Sequence, residues 1–140
     1  MRPHPMTRKS IVALAAGALV VIVVTTLVDV ALHLAGVYPP LDQPIDNRLA
    51  LLATSYRIVI GVFAAWLTAK LAPNQPLKHA LILGCVGVVL GLIGGVTTWN
   101  SGLGPRWYPI ALVVLAIPQS WAGGRIAASR RAALRQSLSG

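Results

Sequence analysis

The chain has 140 residues, enough for one domain, and 56% of them are apolar while only 11% are charged. A soluble domain of this length needs a more highly charged surface, so the composition excludes an ordinary soluble protein and indicates an integral membrane protein. The formal net charge of +9 is also typical of nucleic-acid-binding proteins, and the positions of the basic residues decide between these two classes.

Four apolar segments predict four membrane-spanning helices within a single all-α domain covering residues 1–140. The predicted spans are 11–37, 48–71, 77–98 and 107–127. The first span is longer than the roughly 7–15 apolar residues of a cleaved signal peptide, so we expect it to be retained. Pro39 and Pro40 end it, and Asp46 or Asn47 is the expected N-cap of the second span. Pro118 predicts a kink in the fourth.

Basic residues are concentrated on one side of these spans. Nine of the twelve lie on that side: Arg2, Arg8, Lys9, Lys70, Lys78, Arg125, Arg130, Arg131 and Arg135. By the positive-inside rule, the basic N-terminus (residues 1–10), the middle loop and the basic tail (residues 128–140) are predicted to be cytoplasmic. We expect the tail to form a short interfacial helix or to be disordered. The basic residues then meet anionic lipid headgroups, so no nucleic-acid partner is predicted.

Aromatic residues fall in two belts at the predicted membrane boundaries, where rings with one polar edge are favoured. The outer belt contains Tyr38, Trp99, Trp107 and Tyr108, and the inner belt contains Trp66 and Trp121.

Two opposite charges lie inside the predicted spans. Asp29 is about eight residues before the end of helix one, and Arg57 is about nine residues into helix two. At 1.5 Å per residue, each lies about 12 Å below the outer boundary. An isolated charge in hydrocarbon is costly, so we predict an Asp29–Arg57 ion pair, bidentate if the geometry permits.

Other polar residues surround this pair. Thr25 and His33 share a helix face with Asp29 at a spacing of four residues, and Tyr56 and Ser55 flank Arg57. Three interpretations remain open. The pair locks helix one to helix two, or it belongs to a proton or ion path or an outward-facing polar pocket, or Arg57 reaches the outer headgroups without a partner.

The sequence predicts no metal, no cofactor and no enzymatic activity. Asp29 and His33 supply at most two ligands, and the other histidines, His4 and His79, lie on the opposite side of the membrane. Catalysis requires a nucleophile with a base, paired carboxylates or a metal set, and the sequence indicates none of these. The single cysteine, Cys85, is expected to be a small core residue.

Glycines form a stripe along helix three. Gly87, Gly91 and Gly95 repeat every four residues, and Gly84 extends the stripe. Such faces let helix backbones approach closely in lipid. The predicted mates are Gly61-x-x-x-Ala65 of helix two and Ala13-x-x-x-Gly17 of helix one. The stripe serves packing within one four-helix bundle or self-association between protomers.

Several motifs resemble a group of small, uncharacterised four-helix proteins of the bacterial inner membrane. They are Asp29-x-x-x-His33-x-x-Gly36-Val37-Tyr38-Pro39-Pro40, Tyr56-Arg57, Leu71-Ala72-Pro73, His79-Ala80-Leu81 and Gly104-Pro105-Arg106-Trp107-Tyr108-Pro109. The resemblance extends from about residue 11 to residue 125. It implies a multi-pass protein of the bacterial inner membrane and implies no activity, ligand or catalytic residue.

Two function classes are therefore predicted. The first is a non-enzymatic structural or accessory membrane protein, acting as a homo-oligomer or beside a client membrane protein. The second is a small transporter or channel that uses Asp29, Arg57 and His33 as a proton or ion path. Four helices leave little room for an aqueous route, so the second class requires self-association.

Overall fold

The computed structural model describes residues 5–140, which are all-helical with no strand in that range. Arg2 and His4, both predicted to be cytoplasmic, lie outside the described residues. The helices are α1 (Arg8–Leu34), α2 (Asn47–Leu71), α3 (Pro76–Thr98) and α4 (Trp107–Ser139). All four are long and apolar enough to cross a membrane. The four predicted helices are thus present.

The first helix begins and ends three residues earlier than predicted. At its start, the Thr7 hydroxyl accepts a hydrogen bond from the Ser10 N–H at 3.3 Å. At its end, Gly36 adopts a φ of 75°, and the Val37 N–H returns to the Leu32 carbonyl at 3.0 Å. A left-handed residue after the last turn terminates a helix in this way, so Gly36 and not the proline pair ends α1.

The predicted N-cap of the second helix is confirmed as Asp46, whose carboxylate accepts from the Leu49 N–H at 2.9 Å. The predicted end of the fourth helix at residue 127 was wrong, because α4 continues without interruption through Pro118 to Ser139. The tail is therefore the last third of α4 and is neither a separate interfacial helix nor disordered.

Consecutive helices run in opposite directions, so the bundle has two chemically distinct ends. We call the end with residues 5–9, 70–78 and 125–139 the basic end, and the end with residues 35–46 and 99–106 the opposite end. At the opposite end the two loops are joined by a 2.9 Å hydrogen bond from the Ile45 N–H to the Leu103 carbonyl. Trp107 Nε1 also donates to Asn47 Oδ1 at 2.8 Å.

Helices α2 and α3 each pack against the other three helices. Helix α4 packs extensively on α2 and α3, whereas α1 packs on α2 and more lightly on α3. Within residues 5–140, α1 and α4 are not in contact. The position of α1 in the bundle therefore depends mainly on its contacts with α2.

Small residues form the interior, while many large apolar side chains face outward. The core cluster consists of Ala64, Ala65, Ala69, Ala80, Leu83 and Ala127. Soluble proteins place their large apolar side chains inside. The reverse arrangement is expected when lipid covers the surface of the bundle and close backbone approach holds the helices together. Cys85 is exposed on the outer face, so its prediction as a core residue was wrong.

The glycine stripe of α3 packs within the chain, but its predicted mates were wrong. The stripe meets α4, and the facing pairs are Gly84 with Ser120, Gly87 with Ala116, Gly91 with Val113 and Gly95 with Pro109. Gly61 of α2 also faces α4, at Gln119, and Gly17 of α1 lies against Thr68 of α2 and Leu83 of α3. A small-residue pattern shows that a helix face can be approached closely, but it does not specify which helix approaches.

Two adjacent glycines of α4 let it approach both α2 and α3 closely. A Cβ added to Gly123 would overlap the Val62 carbonyl oxygen of α2 and lie 2.7 Å from the backbone nitrogen of Trp66. A Cβ added to Gly124 would lie 2.7 Å from the Ala80 Cβ of α3. Neighbouring helical residues point about 100° apart. This pair therefore lets α4 contact α2 and α3 at the same level.

Candidate functional site: an ion pair between two candidate spans

The structure places the predicted ion pair between α1 and α2, with Arg57 Nη2 2.8 Å from Asp29 Oδ2. The two side chains are 31% and 30% exposed. The contact is a single N–O pair, so the expected bidentate geometry is absent. The second carboxylate oxygen instead accepts a hydrogen bond from the Tyr56 hydroxyl. Both oxygens of this α1 carboxylate are therefore bound by α2 side chains.

A second tyrosine extends this network. The Tyr38 hydroxyl lies 3.1 Å from the Tyr56 hydroxyl, and the Tyr38 ring is 7% exposed. The turn at Gly36 directs the chain back over α1, which brings Tyr38 towards α2. Tyr38 was predicted to lie in the outer aromatic belt, and the structure adds that it is buried within the chain and contacts Tyr56. It stands two residues after the glycine that ends α1.

Three of the polar residues predicted around the pair do not bind it. Thr25 is buried on α1, but no hydrogen bond joins its hydroxyl to Asp29 or Arg57. The His33 ring donates through Nδ1 to the Asp29 backbone carbonyl at 2.8 Å and does not contact the carboxylate. It also lies 5.3 Å from the Tyr38 ring. Ser55 is exposed and donates to the Leu51 carbonyl of its own helix.

The guanidinium of Arg57 is held from several sides. Its Cζ lies 5.9 Å from the centre of the Tyr56 ring. Arg57 Nε is buried and has no hydrogen-bond partner in the described part of the chain. The hydrogen-bonded site therefore lies between α1 and α2, with Tyr38 of the following loop at its edge.

The energetics of the site follow from its position within two candidate spans. An unpaired charged side chain in a membrane span is costly, with about 2.5–3.5 kcal/mol at the bilayer centre as the upper end on insertion scales. Pairing Asp29 with Arg57 removes the net charge, and the Tyr56 hydroxyl occupies the remaining carboxylate oxygen. The arrangement is a neutral, hydrogen-bonded link between two helices.

A second polar cluster, which the sequence did not predict, joins the helices at the basic end. His79 is buried, and its Nε2 lies 2.9 Å from the buried Ser10 hydroxyl of α1. Its Nδ1 donates to the Gln75 carbonyl at 3.0 Å, since a carbonyl can only accept. Nearby, the Thr68 hydroxyl donates to the Ala13 carbonyl at 3.2 Å. Such contacts involve backbone groups and single hydroxyls, which leave no pattern in a sequence.

No group of three or more His, Cys, Asp or Glu side chains in residues 5–140 is arranged to hold a metal ion. Four candidate spans with a neutralised ion pair between two of them are typical of a multi-pass helical membrane protein. No family model, curated protein or solved structure matches the chain.

Proposed function

We propose that this chain is a multi-pass protein of the bacterial inner membrane with a non-enzymatic structural or accessory role. Its termini and middle loop are cytoplasmic, and its basic end faces anionic headgroups. A second copy or a client membrane protein is its partner in the bilayer. The concentration of basic residues at one end of the bundle supports this orientation.

One observation carries the structural role. Both oxygens of the Asp29 carboxylate are bound by side chains of α2, namely Arg57 and Tyr56. A carboxylate that carries ions or protons must exchange partners, whereas each oxygen of this one is already bound in the contact between two helices. Because α1 touches α2 far more than α3 and does not touch α4, the pair contributes to holding α1 in the fold.

The second candidate, an oligomeric transporter or channel using Asp29, Arg57 and His33, is favoured by a different observation. The paired side chains are about one-third exposed in a single chain. An ion pair in hydrocarbon requires cover from water, headgroups or protein. In an oligomer, the exposed parts of these two side chains would line the entrance of a proton or ion path.

Flux measurements in proteoliposomes separate the two candidates. The structural role predicts that vesicles with the wild-type protein leak protons and monovalent ions no faster than empty vesicles. It also predicts that Asp29→Asn leaves this leak unchanged while lowering the thermal stability of the protein in detergent. A wild-type flux that Asp29→Asn abolishes would contradict the structural role and support the transporter. A wild-type flux that His33→Gln abolishes would also support the transporter, because the His33 ring does not contact the carboxylate and its loss leaves the ion pair in place.

A further inference from the structure

The basic end of the bundle has no acidic side chains of its own. Its eight described Lys and Arg residues are Arg8, Lys9, Lys70, Lys78, Arg125, Arg130, Arg131 and Arg135. The chain has only three acidic residues, Asp29, Asp42 and Asp46, and all of them lie towards the opposite end. The ion pair of Asp29 with Arg57 is the sole salt bridge between described side chains. The counter-charge for the basic end must therefore come from outside the chain.

One part of the basic end is a cleft lined by two arginines. A cavity of about 470 Å³ separates the α2–α3 loop from the last third of α4. Arg131 and Arg135 line it from α4, and Asn74 and Gln75 line it from the loop. The two arginines are four residues apart and so share one helix face. Alanines at positions 128 and 132 complete the α4 wall, and their small side chains leave room between the arginines and the loop.

Arg131 is held in place before any ligand arrives. Its Nη2 donates to the carbonyls of Ala69, Lys70 and Ala72, at 3.2, 3.1 and 2.9 Å. These carbonyls belong to the last turn of α2 and to its C-cap residue Ala72, so the contact fixes the guanidinium without neutralising its charge. The other N–H groups of Arg131 make no hydrogen bond to the described residues. A fixed arginine binds a phosphate with less loss of conformational entropy than a mobile one.

We propose that this cleft is a binding site for the phosphate of an anionic phospholipid headgroup. The inference rests on the proposed orientation, in which the basic end meets the anionic leaflet. Arg131 provides the fixed guanidinium and Arg135 the mobile one, and the Asn74 side chain provides an amide. Basic pockets between helices at this level suit anionic headgroups, because they combine a local positive potential with an open side towards the lipid.

Arg135 is the position that tests the site. It is exposed and makes no hydrogen bond to the described residues, so Arg135→Gln removes a charge from the cleft without removing a helix contact. Arg131→Gln is less informative, because it also frees three carbonyls of α2. The matched control is Arg130→Gln, which removes an equally exposed charge from the same helix outside the cleft.

Native mass spectrometry of the full chain in detergent, titrated with phosphatidylglycerol or with phosphatidylcholine of the same acyl chains, measures the binding. We expect the wild type to retain phosphatidylglycerol preferentially. Arg135→Gln should weaken its binding by about fivefold, the effect of one lost basic contact near an anionic surface. Arg130→Gln should leave it within about twofold of wild type, since a charge outside the cleft adds only a long-range attraction.

Three results would overturn the proposal. The first is equal retention of the two lipids by the wild type, and the second is an equal loss of binding in both variants. The third is displacement of the lipid by an excess of inorganic phosphate, which would assign the cleft to a soluble phosphate compound. The lipid-binding result does not depend on the flux result, because a protein that conducts no ions can still bind the two lipids equally. Failure here therefore leaves the structural role untouched.

Discussion

Replacing Gly123 with alanine should destabilise the bundle more than its single methyl group suggests. The added Cβ would overlap the Val62 carbonyl oxygen and lie 2.7 Å from the Trp66 nitrogen and 2.8 Å from the Ala65 Cβ. The first two are backbone atoms, so relief requires α4 to move away from α2. Overpacking of this kind costs typically 1–3 kcal/mol, and we expect about 3 here because backbone cannot yield as a side chain does.

The gain in helix propensity offsets part of this cost. Alanine is favoured over glycine in a helix interior by about 1 kcal/mol. The expected net effect of Gly123→Ala is therefore a loss of about 2 kcal/mol. The matched control is Gly94→Ala in α3, where an added Cβ meets nothing within 4 Å. That variant should be neutral or more stable than wild type by up to about 1 kcal/mol.

Reversible unfolding in mixed detergent micelles, followed by helical circular dichroism, measures both variants on the same scale. The near-contact of α4 with α2 predicts that Gly123→Ala is clearly less stable than Gly94→Ala. Equal stabilities of the two variants, or a Gly123→Ala protein as stable as wild type, would refute the packing described for α4.

Three further predictions concern other parts of the fold. Cys85 is exposed on the surface of the bundle. A spin label attached to it in a bilayer should be accessible to oxygen and shielded from a water-soluble nickel chelate. The reverse pattern would exclude lipid contact at this position. Gly36→Ala should destabilise α1 by about 1–2 kcal/mol in the same unfolding assay, because its φ of 75° strains an L-residue even though nothing lies within 4 Å; no effect would show that the turn is not what ends the helix. Ser10→Ala should cost about 1–3 kcal/mol, because it leaves the buried His79 Nε2 without its partner, and Thr26→Ala, at an exposed hydroxyl of the same helix, should cost less.

The number and order of the helices could be predicted from the sequence, because lipid imposes long apolar runs and leaves charge in the connections. The pairing of Asp29 with Arg57 could be predicted by counting residues from the expected helix ends, since the rise of a helix converts sequence position into distance. The ends of the helices were harder to predict. The turn at Gly36 ends α1 before the chain reaches the proline pair, and the last third of α4 remains helical although its composition resembles a polar tail.

The choice of partners could not be predicted, because side-chain patterns describe one helix at a time. The stripe at Gly87 and Gly91 faces α4, and α4 in turn approaches α2 closely at its own Gly123. The adjacent glycines of α4 were a signal that a search for four-residue spacing does not detect. In the polar network, Tyr38 was placed in the outer belt but was not linked to the ion pair, because its hydrogen bond to Tyr56 depends on the turn at Gly36.

A double-mutant cycle on Asp29 and Arg57 tests the central claim that the two charges fasten α1 to α2. Stability is measured for wild type, Asp29→Asn, Arg57→Gln and the double variant. Each single change leaves one charge without its partner and should cost about 1–3 kcal/mol, less than the cost at a fully buried pair because both side chains are about one-third exposed. The double variant should lose at least about 1 kcal/mol less than the sum of the singles. Strictly additive losses, or single variants as stable as wild type, would contradict the claim.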